Sequence, residues 1–153
     1  MVIATYNLRN LFDAGARVGY SPDAPIEVTK EFVDKVSASI RSVIDEVKPD
    51  VLIAQEIGSA RVFQAIAVVH EPKYETFVAK SDARGIANGV LHRGVFESQS
   101  LTDVAHFPVF VEGDADAFGK HLTPYRAFVY VKAEYRGKPL HVIGVHLKTS
   151  WGV

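Results

Sequence analysis

The sequence predicts an α/β fold in which one mixed β-sheet is layered with helices, and two observations carry this prediction. The first half of the chain alternates between strand-like and helix-like segments, whereas the second half contains strand-like segments alone. The composition, with 48% hydrophobic and 23% charged residues, is typical of a globular domain. A length of 153 residues fits one domain, so we expect residues 1–153 to form a single unit.

The first four elements are a strand, a helix, a second strand and a second helix. The segment VIATYNL has the short, β-branched character of a strand, and a loop rich in Gly and Pro follows it. Apolar residues spaced by three or four from Phe32 to Val47 predict an amphipathic helix that begins near Thr29 and ends before Pro49. The apolar run DVLIAQE predicts a strand buried on both faces, and SARVFQAIAVVH predicts a helix with its N-cap near Gly58 or Ser59.

Strand-like segments make up the rest of the chain. They are YETFVAK, ANGVLHR, ESQSLTDVAHFPVF, YRAFVYVKAEY and LHVIGVHL. The stretch EYRGKP between the last two predicts a hairpin turn, in which Gly137 supplies a positive φ. The order of elements is therefore βαβα followed by several strands, which favours a mixed sheet.

Charge and composition exclude several classes of protein. Lys and Arg number 17 against 18 Asp and Glu, so no bulk basic field marks a nucleic-acid-binding protein, although a local basic patch stays open. The chain has no Cys, which excludes disulfides and thiolate metal sites. No run reaches the roughly 18 apolar residues that cross a membrane, and the N-terminus lacks a leader pattern, so we expect a cytoplasmic protein without a membrane partner.

Three polar residues, Asn7, Glu56 and His146, lie at or near the predicted carboxyl ends of strands. Ligand-binding groups collect at this edge in α/β sheets. A carboxylate that closes the apolar run VLIAQE is unfavourable to bury unless it is paired or binds a cation. Each residue also has an ordinary structural interpretation: Glu56 as a solvent-facing or Arg-paired side chain, Asn7 as a turn former, and His146 as a structural histidine.

Four stretches taken together resemble the endonuclease/exonuclease/phosphatase (DNase I-like) superfamily. They are IATYNLRNLFD (Ile3–Asp13), KPDVLIAQEI (Lys48–Ile57), RGIANGVLHR (Arg84–Arg93) and HVIGVHLKTS (His141–Ser150), and they occur in the family's order. The family includes DNase I-like nucleases, abasic-site endonucleases and inositol-phosphate phosphatases. The resemblance implies that this chain supplies the N-terminal half of a four-layer α/β/β/α sandwich.

The resemblance also implies metal-assisted phosphoester hydrolysis. Glu56 matches the family's carboxylate ligand for Mg²⁺ or Mn²⁺, and Asn7 matches the Asn that helps to set that metal and the neighbouring phosphate. His146 matches the histidine that faces the scissile phosphate, where it could donate to a phosphate oxygen or protonate the leaving group. A phosphodiester repels anionic nucleophiles, so the chemistry needs a cation to neutralise developing charge.

Three further residues are candidates for contacting the substrate. Arg126 lies near the family position of a phosphate-contacting Arg, Tyr125 precedes it, and Arg84 is a second cationic candidate. Both arginines are equally consistent with exposed surface residues. The resemblance favours a nucleic acid, with DNA first, as the substrate partner.

The sequence departs from the family after HLK. The family continues with a Gly-Asp-x-Asn motif, a late Asp and a terminal Ser-Asp-His, which supply the nucleophile-aligning group, the general base and a second histidine. None of these follows in a chain that stops at Val153. The stretch EGDADAFG (Glu112–Gly119) is only superficially similar to Gly-Asp-x-Asn, because it precedes the His strand and lacks the Asn. The chain therefore carries about half a site.

Strand patterning suggests how the site could be completed. In LHVIGVHL both alternating sets of side chains are largely apolar. Two helices can cover one face of the sheet, so we expect the other face to be apolar and open. A homodimer with its sheets packed face to face would cover it and would bring a second Glu56 and His146 to the site. An inactive N-terminal fragment is the alternative.

Three functions from different classes follow. The first is a Mg²⁺- or Mn²⁺-dependent nuclease or phosphodiesterase that works as a homodimer. The second is a phosphomonoesterase on a small phosphorylated ligand, which the near-neutral charge permits. The third is a non-catalytic module that binds or assembles without hydrolysis.

Overall fold

The structure, a computed structural model, describes residues 1–18, 25–70, 73–93, 98–104 and 127–146. Nine strands and two helices lie within these ranges. The strands are β1 Ile3–Leu11, β2 Arg17–Val18, β3 Ile26–Glu27, β4 Val51–Ile57, β5 Glu75–Val78, β6 Ala87–His92, β7 Ser98–Val104, β8 Phe128–Tyr135 and β9 Lys138–Gly144. The helices are α1 Lys30–Val47 and α2 Ala60–Ala67.

The strands form two main sheets and one small hairpin. The first sheet has the order β1-β4-β6-β5, with β1 and β4 parallel and the other neighbours antiparallel. The second sheet has the order β7-β8-β9 and is antiparallel throughout. The two-residue strand β2 lies within the predicted loop, Ala14–Pro25, and pairs with β3, which follows that loop directly. A mixed sheet with two helices confirms the predicted fold class.

Both helices begin at the residues that the sequence indicated. The Thr29 hydroxyl accepts from the Phe32 amide at 3.2 Å, and the Ser59 hydroxyl accepts from the Val62 amide at the same distance. Helix α1 ends at Lys48, which adopts a left-handed conformation and donates to the Ile44 carbonyl at 2.8 Å. Neither helix, within the part of the chain described, is long and apolar enough to cross a membrane.

The helices cover one face of the first sheet, and a hydrophobic core lies between the helices and this sheet. Its buried members come from both helices, from β1, β4 and β6, and from the residue before β5: Leu8, Leu11, Ile40, Ile44, Leu52, Ala54, Ile57, Val62, Phe63, Ile66, Ala67, Tyr74 and Leu91. Burying side chains of this kind stabilises a fold by about 1.5–3 kcal/mol each, so this layer anchors β1 and β4. The edge where the candidate site lies is built on these two strands.

The second sheet covers the opposite face of the first sheet. The core between the two sheets contains Val51, Ile53, Ala79, Val90, Ala127, Val129, Val131 and Ala133, and Leu140 and Val142 of β9 pack against it. The expectation that this face stays open for a second copy is therefore wrong. The alternating apolar side chains of β8 and β9 fill it from within the same chain.

The hairpin between β8 and β9 has the predicted turn. Tyr135 pairs with Lys138, so two residues form the connection. Gly137 has φ 69° as expected, and Arg136 before it is also left-handed at φ 54°. Two successive positive φ angles are the mark of a type I′ turn, whose twist matches that of the paired strands.

A charged clamp joins the beginning of β1 to β4 and β6. The Asp50 carboxylate accepts from the Val2 amide at 2.6 Å and from the Arg93 guanidinium at 2.9 Å. Burial alone would raise the pKa of the Asp50 carboxyl, but these hydrogen bonds and the Arg93 charge hold it below its usual range. The clamp fixes the register of the parallel pair, since Ile3 lies opposite Val51.

Candidate active site

The candidate site lies at the shared edge where the parallel strands β1 and β4 end. Asn7 is opposite Gln55 where the regular pairing of β1 with β4 is interrupted, so the predicted residues Asn7 and Glu56 lie at neighbouring positions on the two strands. The carboxyl ends of parallel strands in α/β sheets are the usual place for ligand-binding groups. The structure thus brings these two residues close together on neighbouring strands, and their role as a ligand site stays a prediction.

A β-bulge turns the Glu56 side chain toward the second sheet. Leu52 and Ala54 face the helices, so strict alternation would place Glu56 among them and Ile57 on the other face. Instead the register of β4 against β6 shifts between Ala54 and Ile57, and Ile57 is buried on the helix side. Bulges of this kind re-aim single side chains beside functional sites. Here the bulge moves a carboxylate out of the apolar core.

The backbone at the bulge is strained. Glu56 has φ 62°, a left-handed conformation that is unfavourable by about 1–2 kcal/mol for a residue with a Cβ. Arg9 and Asn10 on β1 also adopt the left-handed conformation, with φ 52° and 57°. Their irregular backbone allows both Leu8 and Leu11 to reach the core beneath the helices. Left-handed residues other than Gly that cluster at one edge indicate a functional constraint.

His146 meets Glu56 at this edge. It follows the end of β9 by two residues and continues the face that Val142 and Gly144 turn toward the first sheet. Its Nε2 lies 3.7 Å from a carboxylate oxygen of Glu56, and each side chain is 21% exposed. This separation is an ion-pair contact and is longer than a hydrogen bond. The two residues, 90 positions apart in the chain, therefore form a largely buried acid–imidazole pair.

Asn7 is exposed at the same edge and shapes the turn that follows it. Its side-chain oxygen accepts from the Arg9 amide at 2.8 Å, which confirms the turn-forming role that the sequence left open. An amide oxygen has two lone pairs, so this bond leaves one for a second partner. Asn7 can thus form the turn and still present an oxygen to a ligand.

Arg84 is placed by a tight turn that precedes β6. The buried carboxylate of Asp82 accepts from the amides of Arg84 at 2.9 Å and Ile86 at 3.0 Å, and it lies 3.7 Å from the Arg84 guanidinium. Gly85 completes the turn at φ 76°. The other two substrate candidates, Arg126 and Tyr125, lie outside the described residues, and so does EGDADAFG.

Asn88 is a residue of this region that the sequence analysis missed. It lies in β6 with no exposed surface, and its side-chain amide donates to the Ala127 carbonyl at 2.9 Å, which ties the first sheet to the start of β8. Its side-chain oxygen has no hydrogen-bond partner. A lone Asn within the apolar segment ANGVL was the available signal, because a buried amide needs partners.

A second missed contact lies on the parallel pair itself. The side-chain amide of Gln55, the residue opposite Asn7, donates to the hydroxyl of Thr5 at 2.8 Å, two residues before Asn7 on β1. This bond joins β1 to β4 through side chains as well as backbone. It supports the spacing between the strand ends that carry Asn7 and Glu56.

The donors at this edge fit a hard divalent cation that keeps most of its water. Glu56 offers carboxylate oxygens and Asn7 an amide oxygen, which are ligands that Mg²⁺ and Mn²⁺ accept. The described ranges contain no group of three or more Asp, Glu or His that could hold a metal. A closed cage made of protein ligands alone is therefore not built from these residues. Mg²⁺ is commonly bound through one or two carboxylates together with substrate phosphates.

Comparison with known proteins gives matches in structure alone. No family model and no curated protein matches the sequence. The structure of humanized D. rerio TDP2 aligns with 96% of this chain and 47% of its own, with a TM-score of 0.55 and 13% identity. TDP2 from C. elegans aligns with 80% of this chain and 33% of its own, with a TM-score of 0.53 and 16% identity.

These matches identify the fold. TDP2 is tyrosyl-DNA phosphodiesterase 2, and it has the DNase I-like fold. The described chain has part of that fold, which confirms the structural side of the resemblance seen in the sequence. The chain spans less than half the length of these TDP2 structures.

Proposed function

We propose that this chain is a Mg²⁺- or Mn²⁺-dependent phosphodiester hydrolase that acts on nucleic acid, with DNA as the first substrate. The observation that carries the proposal is the Glu56–His146 pair. A strained bulge turns the carboxylate out of the core, and its oxygen lies 3.7 Å from the imidazole at the edge where the parallel strands end. The DNA-directed name of TDP2 supports this substrate class.

The roles of the residues follow from their chemistry. A bound cation would neutralise charge on the phosphate and orient a water molecule for attack. Glu56 and Asn7 would hold that cation through their oxygens. His146 would donate from Nε2 to a non-bridging phosphate oxygen or to the leaving group, because its Nε2 lies beside the proposed metal ligand Glu56. Arg84, Arg126 and Tyr125 remain proposed contacts to the phosphates of the substrate.

The described residues supply one carboxylate and one imidazole, and a homodimer stays our proposal for the rest of the site. The face between the sheets is occupied, so a second copy needs another surface. On the outer face of the second sheet, Ile143 is 62% exposed and Val145 is 42% exposed. Among the described residues, we propose this outer sheet face as the contact for a second copy, and sedimentation tests whether it is used.

Hydrolysis assays on a sample of known oligomeric state test the proposal. We expect plasmid or single-stranded DNA to be cut with Mg²⁺ or Mn²⁺ and to survive in EDTA, while p-nitrophenyl phosphate, a monoester, is cleaved poorly. Bis-p-nitrophenyl phosphate serves as a diester free of nucleic acid. Preference for the monoester would point to the phosphomonoesterase alternative. Absence of EDTA-sensitive hydrolysis at every protein concentration would leave the non-catalytic module.

A further inference from the structure

We propose that a cavity beside the Glu56–His146 pair binds one nucleotide unit of the substrate, a base together with its phosphate. The proposal rests on the proposed function, because it names the part of the substrate strand that this cavity takes. We call it the hairpin cavity. It lies between the end of β1, the β2–β3 hairpin, the first turn of α1 and the turn before β6, and its walls include Arg9, Arg17, Ile26, Glu27, Phe32 and Arg84.

The size of the hairpin cavity fits a small organic ligand. Its volume is about 680 Å³. Ligand sites in proteins span roughly 300–1,000 Å³ and combine apolar walls with a few polar groups that set orientation. The cavity has both, so a ligand with a flat apolar part and a charged part is favoured over a bare ion.

The charge on its walls favours an anion. Arg9, Arg17 and Arg84 contribute three guanidinium groups, against the single carboxylate of Glu27. Glu27 is opposite Arg17 in the hairpin and offsets part of its charge. Asp82, which holds Arg84 in place, offsets part of the positive charge of the Arg84 guanidinium. A net positive charge remains, and guanidinium groups match phosphate oxygens in shape as well as in charge.

The apolar wall favours a base. Phe32 on the first turn of α1 is 45% exposed, and Ile26 on β3 is 70% exposed. Large apolar side chains that remain exposed in a cavity mark a surface meant for a ligand. An aromatic ring beside guanidinium groups is the combination that single-stranded nucleic acids use, through base stacking and phosphate pairing.

The hairpin cavity and the candidate active site are near each other along β1 and across the β4–β6 pairing. Its β1 wall starts at Arg9, whose amide donates to the Asn7 side chain at 2.8 Å. Its opposite wall includes Ile86, which precedes Ala87, and Ala87 is paired with Ile57 beside Glu56. A strand whose scissile phosphate lies at Glu56 and His146 would therefore place a neighbouring nucleotide in the cavity.

Binding measured in EDTA tests this proposal without hydrolysis. The probes are adenosine 5′-monophosphate and single-stranded oligo(dA), each titrated by calorimetry into the whole chain. We expect Phe32→Ala to weaken oligo(dA) binding about 5- to 150-fold, the size of one base–aromatic stack. Phe32→Tyr should keep most of the affinity. Arg17→Ala should weaken binding and lower the salt dependence by about one phosphate contact.

A substitution that is expected to strengthen binding separates a binding role of the cavity from a structural one. Glu27→Gln should tighten binding about two- to fivefold, because it removes the negative charge of the cavity wall. Val47→Ala, at the far end of α1, and Arg136→Ala, in the β8–β9 turn, are matched controls that should bind like the wild type. Thermal unfolding of each variant checks that the fold is intact.

The binding results for the three cavity variants decide between a strand, a free nucleotide and no ligand. Oligo(dA) binding that responds to Phe32, Arg17 and Glu27 supports a nucleotide unit of a strand. The same response for adenosine monophosphate with no binding of oligo(dA) supports the cavity but assigns it to a free nucleotide. Wild-type affinity in all three variants, or no binding of either probe, overturns the proposal. Hydrolysis that depends on Glu56 in those same variants would leave the proposed function standing without the cavity.

Discussion

Glu56→Gln is expected to reduce metal-dependent diester hydrolysis by at least about 100-fold. Groups that merely support metal ligands contribute about 10- to 100-fold, and the ligand itself should contribute no less. The amide keeps the size of the carboxylate but not its charge, so the variant should fold as the wild type does. Steady-state rates with bis-p-nitrophenyl phosphate and Mn²⁺ measure the loss. Glu46→Gln, an exposed Glu on α1, is the matched control and should retain full activity.

Glu56→Gly extends this test to the backbone. Gly adopts φ 62° without the steric penalty that Glu bears there, so this variant should be as inactive as Glu56→Gln but more stable by about 1 kcal/mol. Urea unfolding measures the gain. A gain in stability with a loss of activity identifies a position held for function. Full hydrolysis by either Glu56 variant would remove this residue from the site.

His146→Ala should lower the same rate by about 100- to 10,000-fold, the usual contribution of a positioned proton donor. His141→Ala is its matched control. His141 lies on β9, five residues before His146, and its ring contacts the Tyr130 hydroxyl at 2.6 Å on the outer face of the second sheet. Equal losses in the two histidine variants would mean that β9 matters only for folding.

Gly144→Ala is expected to destabilise the fold by about 1–3 kcal/mol, which is the effect of overpacking a core. Gly144 lies where β9 approaches the first sheet most closely, and a Cβ there would collide with the side chains of Ile53 and Val129. The sheets would have to separate, and His146, two residues further on, would move away from Glu56. Urea unfolding should show the loss in stability, and hydrolysis should fall with it.

A double-variant cycle distinguishes this collision from a general strand effect. Val129→Ala removes one of the two colliding side chains, so Gly144→Ala should be less destabilising in that background than in the wild type. Ile143→Val, the exposed neighbour on β9, should change the free energy of unfolding by less than about 0.5 kcal/mol. Additive losses in the cycle would contradict close packing of the sheets at Gly144.

Regular elements of this fold could be predicted from the sequence because their periodicity is local. The apolar spacing in α1, the capping residues Thr29 and Ser59, and the turn at Gly137 all gave the observed structure. The partition into two sheets could not be predicted in the same way. Alternation in β8 shows that one face is buried, but it does not show that β4 and β6 of the same chain cover it.

The site was predicted in part and for a different reason. The pairing of Glu56 with His146 came from the family resemblance, since no local spacing relates residues 90 positions apart. The bulge that makes the pairing possible left no mark in the apolar run VLIAQEI, because one extra residue in a strand changes no side-chain type. Asn88 was missed for a similar reason: its role depends on the Ala127 carbonyl, which lies on another sheet.

Binding of Mn²⁺ tests the central claim most directly, because it does not require a complete catalytic site. Electron paramagnetic resonance follows the free Mn²⁺ signal as the ion is added to the wild type, Glu56→Gln and Glu46→Gln. We expect the wild type and Glu46→Gln to bind the ion alike and Glu56→Gln to bind it at least about 100-fold more weakly. A wild type that leaves all Mn²⁺ free, or a Glu56→Gln variant that binds it equally well, would contradict a metal site at Glu56.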